Sequence, residues 1–120
     1  MAEIYALPIS DHSTTDTEFR KELLKKHKAN EIMSYDLALN KLKEHGTDIN
    51  QKWKKDSIKK IEKELYELRS KNVRTLLYFD GNNFFIILHS FLKTTQKTPK
   101  KEIIKALKEI KRWKQLKESN

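Results

Sequence analysis

The sequence contains no cysteine and only two glycines and two prolines among its 120 residues. Without thiols, the chain can form no disulfide scaffold, no cysteine nucleophile and no zinc site that needs thiolate ligands. Two glycines are also too few for a glycine-rich loop that wraps a phosphate group. These absences exclude disulfide-rich proteins, thiol enzymes and P-loop enzymes as classes for this chain.

Long hydrophobic runs are missing as well. The longest one, residues 84–88, is far shorter than the ~20 residues that a membrane-spanning helix requires. The first residues contain neither the basic segment nor the apolar stretch of a secretory signal. We therefore expect a cytoplasmic protein with no membrane partner, and the length favours one domain over residues 1–120.

What the sequence has in excess is positive charge in its second part. Residues 1–50 hold 7 Lys or Arg and 9 Asp or Glu, whereas residues 51–120 hold 19 Lys or Arg and 8 Asp or Glu. Such asymmetry favours an anionic partner, which could be nucleic acid, an anionic membrane surface or an acidic protein. The alternative is an ordinary lysine-rich surface without a specific partner.

Hydrophobic periodicity predicts an α+β fold in which an N-terminal helical hairpin packs on a small antiparallel sheet and a C-terminal helix follows. The predicted elements are a short strand at about 3–7, helices at about 15–28, 30–45 and 99–116, and strands at about 65–69, 73–79 and 84–92. Residues 8–14 are polar and irregular in pattern, and residues 47–57 are polar and rich in lysine. Neither of these two segments is predicted to contain a helix or a strand.

Local signals predict where the elements begin and end. Thr15 followed by Glu18 has the spacing of a capping box at the start of the first helix. Gly46 is placed to end the second helix, because glycine adopts the left-handed cap conformation at little cost. Residues 80–83, with the sequence DGNN, predict a tight hairpin turn. Thr98, which precedes a proline, is predicted to cap the last helix.

Strand side chains alternate between faces, so the pattern also predicts what each face of the sheet carries. An apolar set is expected to face the helical hairpin, and the opposite face is expected to be open and to collect polar side chains. Its members are Glu67, Arg69, Arg74, Tyr78, His89 and Lys93. Because arginines bind phosphate oxygens in pairs and aromatic rings stack on unpaired bases, this face suits RNA.

Each of these residues also has an ordinary structural interpretation. Arg69 can pair with a carboxylate, Tyr78 can be half-buried, and His89 can satisfy a backbone carbonyl. A slip of the register by one residue would exchange the two faces. For His89 alone the structural interpretation is favoured, whereas Arg69 and Arg74 together favour ligand binding. The other histidines lack metal-ligand spacing, so no metal site is expected, and both tryptophans are interpreted as packing residues.

Several motifs together resemble one protein family. They are Lys59-Lys60 before the first long strand, Glu67-Leu68-Arg69, Arg74 with Leu77-Tyr78-Phe79, and residues 88–103 with the sequence LHSFLKTTQKTPKKEI. This combination resembles the phage-derived HigB-like toxins of the RelE/ParE superfamily. The likeness covers roughly residues 30–115 and is concentrated between residues 58 and 107.

The resemblance implies a RelE-like fold and the toxin of a bacterial type II toxin–antitoxin pair. Such toxins are mostly ribosome-dependent endoribonucleases that cut mRNA, and no metal or other cofactor is implied. The implied partners are mRNA, the ribosome and a cognate antitoxin, which is often a small helix-turn-helix protein. Operator DNA would be contacted only through that antitoxin.

Matching positions carry roles over from the family to this chain. The basic sheet face would contain Arg69, Arg74 and Lys93, and its RNA- or ribosome-facing rim would contain Lys59, Lys60 and Lys97. In cleavage by attack of the 2′-hydroxyl on the adjacent phosphate, Arg69 and Arg74 would stabilise the phosphate. Lys93 or His89 would transfer a proton, and Tyr78 would stack on a base.

Two departures from the family pattern bear on these roles. The family often has Lys-Lys where this chain has Lys93-Thr94, and Glu67 lies where some RelE-type enzymes place a lysine that acts as a base. Both leave the identity of the general acid and base open. Two other functions also stay open: ParE-like inhibition of DNA gyrase through protein contact, and RNA or ribosome binding without cleavage.

Overall fold

The protein, seen in a computed structural model that describes residues 1–82 and 84–118, forms a five-stranded sheet with helices on both faces. Its elements in chain order are β1 (Glu3–Ala6), β2 (Pro8–Ser10), β3 (Ser13–Thr14), α1 (Thr15–Lys25), α2 (Ala29–His45), a 3-10 turn (Gly46–Asp48), α3 (Ile49–Lys52), β4 (Ile58–Glu62), β5 (Leu65–Ser70), β6 (Val73–Phe79), β7 (Phe84–Leu92) and α4 (Lys100–Glu118). The hairpin of α1 and α2 packs on one face, and α4 packs on the other. This arrangement confirms the α+β class and is compatible with a RelE-like fold.

The sheet is an antiparallel meander with one parallel strand added. Its order is β1-β7-β6-β5-β4, in which β4 to β7 pair antiparallel and β1 pairs parallel with β7. β5, β6 and β7 lie within a residue of the bounds expected from the sequence. β4, the short helix α3 and the β2–β3 ribbon were not expected. β4 is an edge strand whose two lysines and bulge interrupt the alternation of apolar and polar residues.

The start of α1 differs from the expected capping box by one residue. Thr14 is the N-cap, because its Oγ1 accepts a hydrogen bond from the Thr17 N–H (3.2 Å) and the Thr17 Oγ1 accepts one from the Thr14 N–H (2.9 Å). Thr15 is buried and donates its hydroxyl proton to the carbonyl oxygen of Ile87 (2.8 Å). Thr15, which the local pattern predicted as the cap, thus bonds to the sheet instead.

The glycines adopt the conformations for which glycine is suited. Gly46 follows α2 with a φ of +58°, and Gly81 has a φ of +95° in the turn between β6 and β7. L side chains rarely adopt such values. In the same turn the Asn82 N–H donates to Asp80 Oδ1 (3.0 Å). Asn83, the last residue of the expected turn, lies outside the described residues.

A polar network holds α1 and α2 together on the first face of the sheet. The Tyr35 hydroxyl donates to Asp16 Oδ1 (2.6 Å). Arg20 pairs with Asp16 through Nε (3.1 Å) and with Asp36 through Nη2 (2.6 Å). Burial, and then the hydrogen bond to Asp16, raises the pKa of Tyr35. Because Phe19 packs edge-on against the Tyr35 ring at 5.2 Å, polar and apolar contacts specify one arrangement of the two helices.

The second face of the sheet, which was expected to be open, is mostly covered by α4. Ala106 and Ile110 of α4 are buried in one hydrophobic cluster with Leu76 and Ile86 of the sheet. The expectation was wrong because strand alternation does not specify where a distant amphipathic helix docks. A register shift in the pairing of β6 with β7, between Leu76 and Leu77, also breaks the simple alternation along β7.

We expect Tyr35→Phe to lower the free energy of unfolding by about 1–2 kcal/mol, because it removes a buried hydrogen bond to Asp16. Urea-induced unfolding at neutral pH measures the change. Tyr5→Phe is the matched control, since the hydroxyl of Tyr5, which is 52% exposed, donates to Glu3 at the surface. The control should leave stability unchanged, and equal losses in both variants would contradict the prediction.

The raised pKa of Tyr35 also predicts a loss of stability at alkaline pH. In the unfolded chain this phenol ionises near its ordinary value of 10.0, whereas in the fold it keeps its proton to higher pH. The contribution of the Tyr35 phenol to the free energy of unfolding is therefore complete below about pH 10. It is lost as the pH rises further, by up to about 1.4 kcal/mol per pH unit. The unfolding free energy of the wild type should fall more steeply above pH 10 than that of Tyr35→Phe. Parallel curves for the two proteins would contradict this prediction.

Candidate nucleic-acid interface

Two arginines lie side by side at one end of the second sheet face. Arg69 of β5 and Arg74 of β6 are directly opposite in the antiparallel register, so both side chains leave the sheet on the same side. The Arg69 side chain is 29% exposed, and Arg74 is half-buried. Arg74 Nη1 donates to the carbonyl oxygens of Lys71 (2.7 Å) and Val73 (3.0 Å). The β5–β6 pair and its turn therefore fix the positions of both guanidinium groups.

A buried carboxylate organises this end of the sheet. Glu67, on the same face of β5 as Arg69, is only 1% exposed. It accepts hydrogen bonds from Arg69 Nε (2.9 Å) and from the Thr98 hydroxyl (2.5 Å). Thr98, expected as the cap of the last helix, thus uses its hydroxyl to attach the loop before α4 to the sheet. The helix itself begins at Lys100.

The electrostatic environment of Arg74 favours an additional anion. Burial lowers the pKa of Arg74, the carboxylate of Glu67 opposes this shift, and the like charge of Arg69 adds to it. A lowered pKa means that the charged guanidinium is less stable here than in water. An anion placed against both arginines would supply the missing stabilisation through charge-assisted hydrogen bonds.

Four lysines surround the arginine pair and complete a basic cluster. The basic cluster consists of Lys59, Lys60, Arg69, Arg74, Lys93 and Lys97. Three of its lysines and Arg69 line a cavity of about 260 Å³ between β4 and the loop that precedes α4. The fourth lysine, Lys93, lines an adjoining narrow cleft with Arg74. Its backbone N–H donates to the carbonyl of Asn72 (2.6 Å), which holds it beside the β5–β6 turn.

Two other predicted site residues lie beneath α4. His89 is buried between two carboxylates of α4, with Nε2 3.2 Å from Glu102 Oε1 and Nδ1 against Glu109. Tyr78 is 3% exposed, and its hydroxyl donates to Glu64 (3.4 Å). Burial, followed by the nearby charge of Glu64, raises the pKa of Tyr78. Neither residue lines the cavities of the basic cluster. The structural interpretation of His89 had given it a backbone carbonyl as partner, whereas its partners are two carboxylates.

Sequence reasoning missed the residues that position the cluster. Glu67 was predicted as a member of the polar sheet face and as a departure from the family pattern, and Thr98 as a helix cap, but neither was predicted to position the cluster. Trp53 was interpreted as a packing residue, yet it also lines a further cavity that the two arginines share. The one signal that could have identified Trp53 is its place as the only aromatic residue in the lysine-rich segment 47–57.

Two absences apply to residues 1–82 and 84–118. Within these ranges, no three histidine, aspartate or glutamate side chains are arranged to hold a metal ion. No helix in the same ranges has both the length and the apolar character that spanning a bilayer requires.

Replacement of Glu67 by glutamine should destabilise the protein by about 2–3 kcal/mol. The amide keeps the shape of the side chain but removes the buried negative charge beside Arg69 and turns one acceptor into a donor. Chemical denaturation measures the loss, and Glu62→Gln on the exposed side of β4 is the matched control. If Glu67→Gln unfolds at the same denaturant concentration as the wild type, the carboxylate does not organise the site.

A comparison with protein-family models finds one family that matches most of the chain. A model of the family described as "Phage derived protein Gp49-like (DUF891)" matches residues 21–111, which is well over half of the chain and includes the whole basic cluster. This family is associated with RelE/HigB-like toxins, which confirms the resemblance to phage-derived toxins at the family level. A search of curated proteins returned no match. The chain therefore belongs to the Gp49-like family of phage-derived, toxin-like proteins.

Proposed function

We propose that the protein is the toxin of a type II toxin–antitoxin pair and that it cuts mRNA on the ribosome. The observation that carries the proposal is the basic cluster, in which two strands, an edge strand and a loop bring six cationic side chains together around one buried carboxylate. Such a surface is suited to the phosphates of a single RNA strand. The membership in a toxin-like family supports the same conclusion.

The chemistry proposed is attack of the ribose 2′-hydroxyl on the adjacent phosphate: the 2′ oxygen bonds to phosphorus, the bond from phosphorus to the 5′ oxygen breaks, and water at the open site or a ribosomal group takes the 2′-hydroxyl proton. Arg69 and Arg74 would hold the non-bridging oxygens and stabilise the negative charge that builds up in the transition state. Lys93, which shares a cleft with Arg74, would donate a proton to the departing 5′ oxygen. The products would be a cyclic phosphate and a 5′-hydroxyl.

Lys93 is preferred to His89 as the proton donor because of what each side chain contacts. Both ring nitrogens of His89 face carboxylates of α4, and the side chain is 7% exposed, so RNA does not reach the ring. Among the described residues that line the cavities of the basic cluster, none is a histidine. A site without a histidine has weaker acid–base catalysis, so more of the rate acceleration would come from positioning. The ribosome would supply that positioning by holding the mRNA in line for attack.

The proposed partner that neutralises the toxin is an antitoxin with an acidic or amphipathic segment. β4 lies at the edge of the sheet, so a strand of a partner can be added there. The same strand carries Lys59 and Lys60 of the basic cluster. An acidic segment bound at this edge would neutralise the cluster and exclude mRNA from it.

We expect Arg74→Ala to reduce mRNA cleavage on translating ribosomes by on the order of 100-fold, because it removes a cation that stabilises the transition state. The assay maps new 5′ ends in mRNA after incubation with purified protein. Lys111→Ala is the control, since it removes one positive charge from an exposed position on α4. Circular dichroism should be unchanged in both variants.

Three results would contradict the proposal in different ways. Full cleavage by Arg74→Ala would remove that residue from the site. Intact mRNA together with blocked supercoiling by DNA gyrase would favour ParE-like inhibition. Intact mRNA together with tight ribosome binding would favour a module that binds without cleavage.

A further inference from the structure

A second cavity lies on the other side of the arginine pair. Its volume is about 240 Å³, and it is bounded by α2, by the segment after α3 and by the β5–β6 turn. Arg69 lines both this cavity and the one beside the cluster lysines, and Arg74 lines both this cavity and the cleft of Lys93. Both arginines therefore border the second cavity as well as the basic cluster.

The lining of the second cavity combines an aromatic surface with polar groups. The half-buried ring of Trp53 packs against the hydrophobic core, and the ammonium of the exposed Lys54 lies 4.9 Å from its centroid. Leu37 of α2 adds an apolar side chain that is 46% exposed. The Lys54 ammonium is carried by a flexible surface side chain, which an incoming planar group can displace from the tryptophan ring.

The charges around the cavity limit the class of ligand. Its cationic lining residues are Lys54, Lys55, Arg69, Lys71 and Arg74, and its one carboxylate is Asp56. An occupant therefore carries negative charge next to a planar, partly apolar group. A nucleotide meets all of these requirements. Because pockets for drug-sized ligands measure about 300–1,000 Å³, a cavity of about 240 Å³ suits a single base.

We propose that the second cavity binds one unpaired base of the RNA whose phosphate is held by Arg69 and Arg74. The base stacks on Trp53 and displaces the Lys54 ammonium from the ring. This inference rests on the proposed function, since it takes RNA as the ligand of the basic cluster. It adds that the protein selects RNA with an unstacked base at this position.

The first experiment uses the fluorescence of Trp53 in a Trp113→Phe background, in which Trp53 is the sole tryptophan. The probes are nucleoside 3′-monophosphates, and ribose 5-phosphate serves as the control that lacks a base. Saturable quenching by the nucleotides and none by ribose 5-phosphate is expected. Equal quenching by both probes, or quenching by neither, would overturn the proposal.

The second experiment compares two 2′-O-methyl RNA oligonucleotides that cannot be cut, one complete and one with a single abasic position. Loss of stacking is expected to weaken binding of the complete RNA to Trp53→Ala by about 5- to 150-fold and to leave binding of the abasic RNA unchanged. Trp53→Phe should recover part of the loss, because phenylalanine keeps a ring face.

The outcomes separate this proposal from the nuclease proposal. Base-dependent binding together with intact mRNA on ribosomes supports the cavity and overturns the nuclease activity alone. If mRNA is cleaved, but the wild type and the Trp53 variants bind the complete and the abasic RNA with equal affinity, only the proposal of a base-binding cavity is overturned. An acidic antitoxin peptide that quenches Trp53, when nucleotides do not, would assign the cavity to a protein partner and overturn the proposal.

Discussion

The hydrogen bonds of the Glu67 carboxylate are the interaction on which the candidate site depends. A buried carboxylate must be paired, and Glu67 finds its partners in Arg69 on its own strand and in Thr98 on the loop before α4. That loop carries two lysines of the basic cluster. Because the Glu67 carboxylate binds both β5 and this loop, the arginine pair and the loop lysines are positioned together. One carboxylate neutralises only one of the six cations in the cluster, so the surface stays positively charged.

The second sheet face has two parts with different roles. α4 buries the apolar part, where Ala106 and Ile110 contact the sheet and where His89 lies between Glu102 and Glu109. The cationic part lies at the other end of the strands, past the beginning of α4. A helix there would bring apolar side chains onto charged ones, which costs free energy. The end of the apolar pattern on the sheet thus determines where the open surface begins.

The arginine pair lies between two unlike environments. On one side are the lysines of the edge strand and the loop, and on the other is the cavity of Trp53. A nucleotide has the same asymmetry, because a charged phosphate is joined to a planar base. The proposed functions of the two sides are therefore parts of a single mode of binding, in which charge supplies affinity and the cavity supplies selectivity for an unpaired base.

The sequence by itself determined the α+β class, the helical hairpin, β5 to β7 and the pairing of Arg69 with Arg74 on one face, because periods of 3.6 and 2 and a short turn are local properties of the chain. It did not reveal β4, whose lysines and bulge hide its alternation, nor the burial of His89 and Tyr78 under α4. It also gave no sign that Glu67 binds Thr98, 31 residues away in the chain. Only the tertiary structure decided these points, because the docking of a distant helix and the pairing of a buried charge depend on which surfaces meet after the local elements have formed.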